Sequence, residues 1–117
     1  MPEHTPMIKV DGTLKYGAEV VLYGASFDEC KDHALKLAEE KGYTFIPPFD
    51  DLDVIEGQGT IGLEIVDELK YVDYVIVPVG GGGLISGVAK CIKQISPLIK
   101  VIGVEPYSAC LLYTSPS

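Results

Sequence analysis

One stretch, "YVDYVIVPVGGGGLISGVAKCIKQISPLIKVIGVEP" (Tyr71 to Pro106), constrains the fold more than any other part of the chain. Its first apolar run shows no polar alternation, the pattern of a strand buried on both faces in a parallel sheet. Parallel strands cannot be joined by a tight turn and need a crossover, usually a helix. "LISGVAKCIKQIS" has the helical period and is stopped by Pro97, and "IKVIGVEP" then reads as a second buried strand. The predicted unit is strand, glycine loop, helix, parallel strand, with a right-handed crossover.

The rest of the chain continues the alternation. "TPMIKVDGTLKYG" reads as a helix, and "AEVVLYG" (Ala18 to Gly24) as a β-branched strand. In "SFDECKDHALKLAEEKG", Ser26 and Glu29 have the spacing of a capping box, and Gly42 can take the left-handed conformation that ends the helix. Phe27, Cys30, Ala34, Leu37 and Ala38 share one face of it, with Asp32 and Lys36 paired on the wet side. "YTFIPPFDD" reads as a short strand closed by Pro47 and Pro48. "DVIEGQGTIGLEIVDELK" is a helix despite Gly57, Gly59 and Gly62, each costing about 1 kcal/mol against alanine. Close packing of that helix on a sheet would explain the missing side chains. The fold class expected is α/β, with parallel sheets and flanking helices.

Composition narrows the partners. The 117 residues suffice for a modest core, and the formal charge is −8. All nine basic residues are lysines, so no arginine can fork onto a phosphate, and nucleic acid is not an expected partner. No run reaches the roughly 18 apolar residues of a membrane span. "MPEHTPMIKV" lacks the basic start and apolar middle of a signal peptide, so a cytoplasmic protein with no membrane partner is expected. Cys30, Cys91 and Cys110 are widely spaced without a C-x-x-C pair, and are expected to be buried structural thiols.

The glycine loop, Gly80 to Gly83, is the candidate site. A strand ending in glycines and feeding a helix aims several backbone N–H groups into a concavity at the positive end of the helix dipole, which suits an anion. A nucleotide loop of the G-K-[ST] type is excluded, because "GGGGLISG" has neither the lysine nor the hydroxyl at that place. A dinucleotide site has Glu105 at the end of the next strand, roughly 20 residues on, where an acid would meet a ribose. Against it, a G-x-G-x-x-G pattern begun at Gly80 and Gly82 would need its third glycine at Ile85. From the residues alone, an unidentified phosphate ligand, a dinucleotide and a non-binding turn all stay open.

"KYGAEVVLYGASFDEC", "YTFIPPFDDLDVIEGQGTIGLEI" and "VIVPVGGGGLISGVAKCIKQISPLIKVIGVEP" closely resemble, in order and over nearly the whole chain, the pyridoxal-phosphate-dependent threonine dehydratases (threonine ammonia-lyases). Serine racemase and serine dehydratase are near relatives. The resemblance implies a partial fold of the tryptophan synthase β-like type, with residues 1–42 part of a small domain and 43–109 part of a large cofactor-binding domain. It implies that Gly80, Gly81, Gly82 and Gly83, with the amide of Leu84, cradle the 5′-phosphate of pyridoxal phosphate. Phe49 is implied to face the cofactor side, an ordinary core aromatic being the other reading. Glu105 corresponds to a carboxylate that some relatives use for a cation; a strand-end glutamate that merely caps or pairs is the alternative. The implied substrate is threonine or serine, and the implied whole protein is a homo-oligomer acting in amino-acid metabolism.

The resemblance also implies what these residues do not supply. The family's S-x-K-x-R-G type lysine motif, which bonds the cofactor, does not occur here, nor does the S-S-G-N-H substrate segment. Lys9 and Lys15 match a helix well past that lysine, so no catalytic residue is assigned and the chain by itself is expected to be inactive. "MPEHTP" resembles an internal family segment, so Met1 is expected to be interior. "CLLYTSPS", residues 110–117, departs from the family pattern and resembles translated sequencing adapter, a divergent natural tail being the alternative.

Overall fold

The computed structural model describes residues 1–107. The chain divides into two compact units, Met1–Phe45 and Ile46–Ser117, of which the second is described as far as residue 107.

The first unit holds α1 (Met7–Leu14) and α2 (Phe27–Lys41). The capping signals act as read: Ser26 Oγ accepts from the Glu29 amide at 3.2 Å, and Gly42 takes φ 69°. Glu29 reaches back one residue further than a capping box requires, its Oε2 accepting from the Ala25 amide at 2.7 Å. Cys30, Ala34, Leu37 and Ala38 are half-buried on one face, while Phe27 is exposed. Tyr23 stacks on His33 with ring centroids 3.9 Å apart.

The expected strand at Ala18–Gly24 forms no regular ladder, and Gly24 takes φ 75°. A strand exists only through a ladder, and here the bonds are few. The Met1 amine donates to the Val21 carbonyl at 2.6 Å, and Tyr23 and Glu3 amides donate to Met1 and Gly24 carbonyls, both at 2.9 Å. Tyr43–Pro47 likewise forms no ladder, ending in two prolines that have no N–H to offer.

The second unit is built around a βαβ motif: α3 (Leu52–Glu68), β1 (Tyr74–Pro78), α4 (Gly83–Ile95) and β2 (Lys100–Val104). β1 and β2 pair in parallel from Tyr74 opposite Lys100 to Pro78 opposite Val104, as the unalternating apolar runs predicted. The core is Val75, Val77, Val88, Ile92 and Ile99, with Ile65, Val66, Leu84, Ile85 and Val101 packed around it. Lys93 closes the turn after α4, its Nζ donating to the carbonyls of Pro97 at 3.1 Å and Ile99 at 2.6 Å. Among the described residues no helix is long and apolar enough to cross a membrane.

Three further expectations need correction. β1 is not covered on both faces: Val75 and Val77 are buried, but Ile76 is 68% and Tyr74 58% exposed. α4 lies against one side of the sheet with α3 packed on α4, and no described residue of this unit forms a layer on the other side. Two of the α3 glycines meet a helix rather than the sheet, Gly59 and Gly62 facing Gly87, Cys91 and Ile92 of α4, while a Cβ on Gly57 would find no atom within 4 Å. Cys30 and Cys91 are free thiols that are half-buried rather than buried, and Cys110 lies outside the described residues, as does the 110–117 tail.

Candidate functional site

β1 ends at Pro78, Val79 makes one further ladder bond to the Val104 carbonyl at 2.9 Å, and Gly80 then turns the chain off the sheet. Gly82 is the N-cap of α4 with φ 88°, a left-handed conformation that costs an L residue about 1–2 kcal/mol. No side chain caps this helix and no acid lies in its first turn, whereas α2 and α3 are capped by Ser26 and Asp51. Among the described residues the first amides of α4 therefore receive no capping side-chain oxygen, and the dipole adds positive potential there. Gly80 and Gly81 are exposed, and Leu84 is half-buried against the core. The five residues predicted to hold a phosphate thus form one continuous strand-to-helix turn.

Phe49 belongs to the same locality. A Cβ built on Gly81 would meet the Phe49 ring, at 2.6 Å from Cε1 and nearer still to Cγ and Cδ1. One built on Gly83 would lie 3.2 Å from Phe49 Cβ and 3.3 Å from its Cα. One on Gly80 would find no atom within 4 Å. The segment that presents Phe49 is itself tightly set: Asp50 has φ 60°, and Asp51 caps α3 through Oδ1, which accepts from the Val54 amide at 3.1 Å. The proline pair and the doubled aspartate marked this turn in the sequence, but its contact with the glycine loop could not be read from spacing.

Gly87 also escaped the sequence reading. A Cβ there would run into the Ile55 carbonyl oxygen and lie 2.7 Å from the Gly59 nitrogen, so α3 and α4 touch backbone to backbone. The small residue inside "LISGVAK" was the signal for it. This contact matters to the site because α4 carries the glycine loop on its first turn. Glu105 directly follows β2 and is half-buried. Among the described residues no group of three or more His, Cys, Asp or Glu side chains is placed to hold a metal ion.

A parallel βαβ unit with a glycine turn at the end of its first strand places the chain among the α/β proteins, and a turn of this kind suits an anion. The chain belongs to the family of pyridoxal-phosphate-dependent enzymes, whose model matches residues 1–116. It is 56% identical over 115 residues to the chloroplastic biosynthetic threonine dehydratase 2 of Solanum lycopersicum, covering 98% of this chain and 19% of that protein. It is 54% identical over 112 residues to the biosynthetic L-threonine dehydratase of Escherichia coli, covering 95% of this chain and 22% of that one. Among solved structures, the processed threonine deaminase isoform 2 of Solanum lycopersicum matches with a TM-score of 0.80 and 59% identity, over 92% of this chain and 30% of that one. The serine racemase of Dictyostelium discoideum matches with a TM-score of 0.81 and 39% identity, over 97% and 37% respectively. The chain therefore spans about a fifth of the length of these curated relatives.

The family's cofactor fits the residues present at its phosphate end. Open space over Gly80, the left-handed Gly82 and the first amides of α4 offer donors, and among the described residues no side chain caps them. The fold-class expectation, a partial fold of the tryptophan synthase β-like type, accords with these structural neighbours.

Proposed function

We propose that this chain is the phosphate-gripping portion of a pyridoxal-phosphate-dependent threonine dehydratase, which converts L-threonine to 2-oxobutanoate and ammonia. The observation that carries the reading is the Gly80–Leu84 turn at the uncapped start of α4, set within a sequence 54–56% identical to named threonine dehydratases. In this reading the backbone amides of Gly81 to Leu84 donate to the phosphate oxygens, and the absent side chain of Gly80 leaves room for their approach. Charge-assisted bonds of this kind are roughly twice as strong as neutral ones, so the loop anchors the cofactor and fixes its orientation. When bound, pyridoxal phosphate would supply an electron-poor ring able to take up the electron pair left at the substrate Cα once its proton is removed, the pair that then forms the Cα–Cβ double bond as the β-hydroxyl leaves. The lysine that bonds the cofactor and the groups that hold the substrate carboxylate are not assigned to any residue of this chain.

Several finer parts belong to the same proposal. Residues 1–42 are assigned to a small domain and 43–109 to the large one. The whole protein is read as a cytoplasmic homo-oligomer that binds neither nucleic acid nor membrane and acts in isoleucine biosynthesis, the last supported by the word "biosynthetic" in the relatives' names. A cation at Glu105 would need further ligands from outside the described residues. A serine racemase or serine dehydratase is the second reading, favoured by the Dictyostelium match, but its 39% identity stands well below the 59% to the threonine deaminase structure. The whole protein, incubated separately with L-threonine and L-serine, decides between them: dominant 2-oxobutanoate from threonine is expected, and D-serine or pyruvate with no action on threonine would overturn the assignment. The chain alone is expected to turn over neither substrate.

A further inference from the structure

The four glycines of the loop are not equivalent in this structure. Gly82 answers to its backbone angle, and Gly80 faces open space. Gly81 and Gly83 answer to Phe49, whose ring and Cβ fill the volume that side chains at those two positions would occupy. Phe49 is 38% exposed, too open for an ordinary core aromatic and too engaged with the loop for a free surface one. Its own backbone is held on both sides, by Pro48 before it and by the left-handed Asp50 and the Asp51 cap after it. A flat, stiff side chain with two rotatable bonds, mounted on a fixed turn, lies against Gly81 and Gly83 of the glycine run.

Glycine runs have the most backbone freedom of any sequence and lose the most entropy on ordering. A loop that must aim several amides at one phosphate therefore benefits from an external brace that narrows its conformations before the ligand arrives. We infer that Phe49 is a positioning residue for the phosphate loop: its ring, packed on Gly81, with its Cβ against Gly83, sets the loop in the shape that converges the amides of Gly81 to Leu84 on a phosphate. Gly80, which the ring leaves uncovered, is the approach side. This assignment rests on the phosphate-loop reading above and differs from a role in which Phe49 faces the cofactor ring, because it acts on the phosphate end alone.

The test separates the phosphate from the rest of the cofactor. The whole protein is titrated with pyridoxal phosphate and, separately, with pyridoxal, which has the same ring and aldehyde but no phosphate, following the absorbance of the bound chromophore. Native protein is expected to prefer the phosphorylated form strongly; no preference would sink the phosphate-loop reading itself. Given that preference, Phe49→Ala is expected to weaken pyridoxal phosphate by about tenfold or more, the worth of one misplaced charge-assisted donor, and to leave pyridoxal binding unchanged. Equal weakening of both ligands, or no change in either, overturns the inference. Gly81→Ala, whose methyl would overlap the ring, is expected to weaken pyridoxal phosphate as well, and combining it with Phe49→Ala should add little further loss. Losses that multiply in the double variant would show that the two residues act independently and would also overturn it. Should Phe49→Ala fail to fold by circular dichroism, Phe49→Leu carries the same two titrations with the same expected contrast.

Discussion

Replacing single glycines of the α3–α4 pair by alanine tests the packing that holds the site's carrier helix. In an exposed helix interior, glycine to alanine gains about 1 kcal/mol because alanine loses less backbone entropy. Gly57 is such a position: a Cβ there finds no atom within 4 Å. At Gly87 the same gain is opposed, because the new Cβ would run into the Ile55 carbonyl oxygen and lie 2.7 Å from the Gly59 nitrogen and 3.0 Å from the Gln58 carbonyl carbon. Those obstacles are backbone, which no rotamer change can move, so the helices must part. Overpacking costs about 1–3 kcal/mol, and a rigid obstacle places this case at the upper end. Gly87→Ala is therefore expected to lose about 2 kcal/mol net and to fall about 3 kcal/mol below Gly57→Ala. Gly62 lies between them, since its Cβ would meet the movable Cys91 Sγ at 3.2 Å and Ile92 Cγ1 at 3.3 Å. Urea unfolding at low micromolar concentration, followed by far-UV circular dichroism, gives the ranking. Gly87→Ala as stable as Gly57→Ala would refute the backbone-to-backbone contact.

Two further outcomes are expected. Ser26→Ala removes the side-chain oxygen that accepts from the Glu29 amide and should cost about 1 kcal/mol, seen as a lower urea midpoint, whereas Ser26→Asp should retain most of the stability. The 117-residue chain by itself should bind a hydrophobic dye through the open sheet face of Tyr74, Ile76, Ile102 and Val104, and Ile76→Lys should reduce that binding while leaving the helix content unchanged. Unchanged dye binding would place the open apolar surface elsewhere.

How much of this was legible in the sequence depended on whether the signal was local. The βαβ unit, the Ser26 cap and the Gly42 stop all follow from neighbours in the chain, and all stand in the structure. The strands expected at Ala18–Gly24 and Tyr43–Pro47 did not, because a β-branched run states a preference for extended backbone but cannot supply the partner strand. The site divided in the same way. Gly80 to Leu84 form one continuous turn and were readable as a group, while the seat of Phe49 on Gly81 joins residues 32 positions apart and has no periodic signature.

The exposed face of β1 shows that a failed expectation can still carry information. Tyr74 and Ile76 alternate with the buried Val75 and Val77, and Ile102 and Val104 continue the same face across the ladder, yet all four are apolar or aromatic, where a solvated sheet face would have selected polar side chains. At about 25 cal/mol per Å² of apolar surface, covering such residues is worth roughly 1.5–3 kcal/mol each. Their composition therefore records an environment covered on both sides, which the described residues of this unit provide on one side only. Relatives about five times longer have ample chain from which such a layer could come. On this reasoning the apolar pattern of β1 predicts a covering layer in the whole protein, beyond the one-sided cover of the described residues. The same pattern predicts that the stability of the Gly80–Leu84 turn, which springs directly from that strand, depends on a layer packed against Ile76. Ile76→Lys in the whole protein should thus lower its stability by more than it does in the chain alone, and an equal effect in both settings would show that no such layer is there.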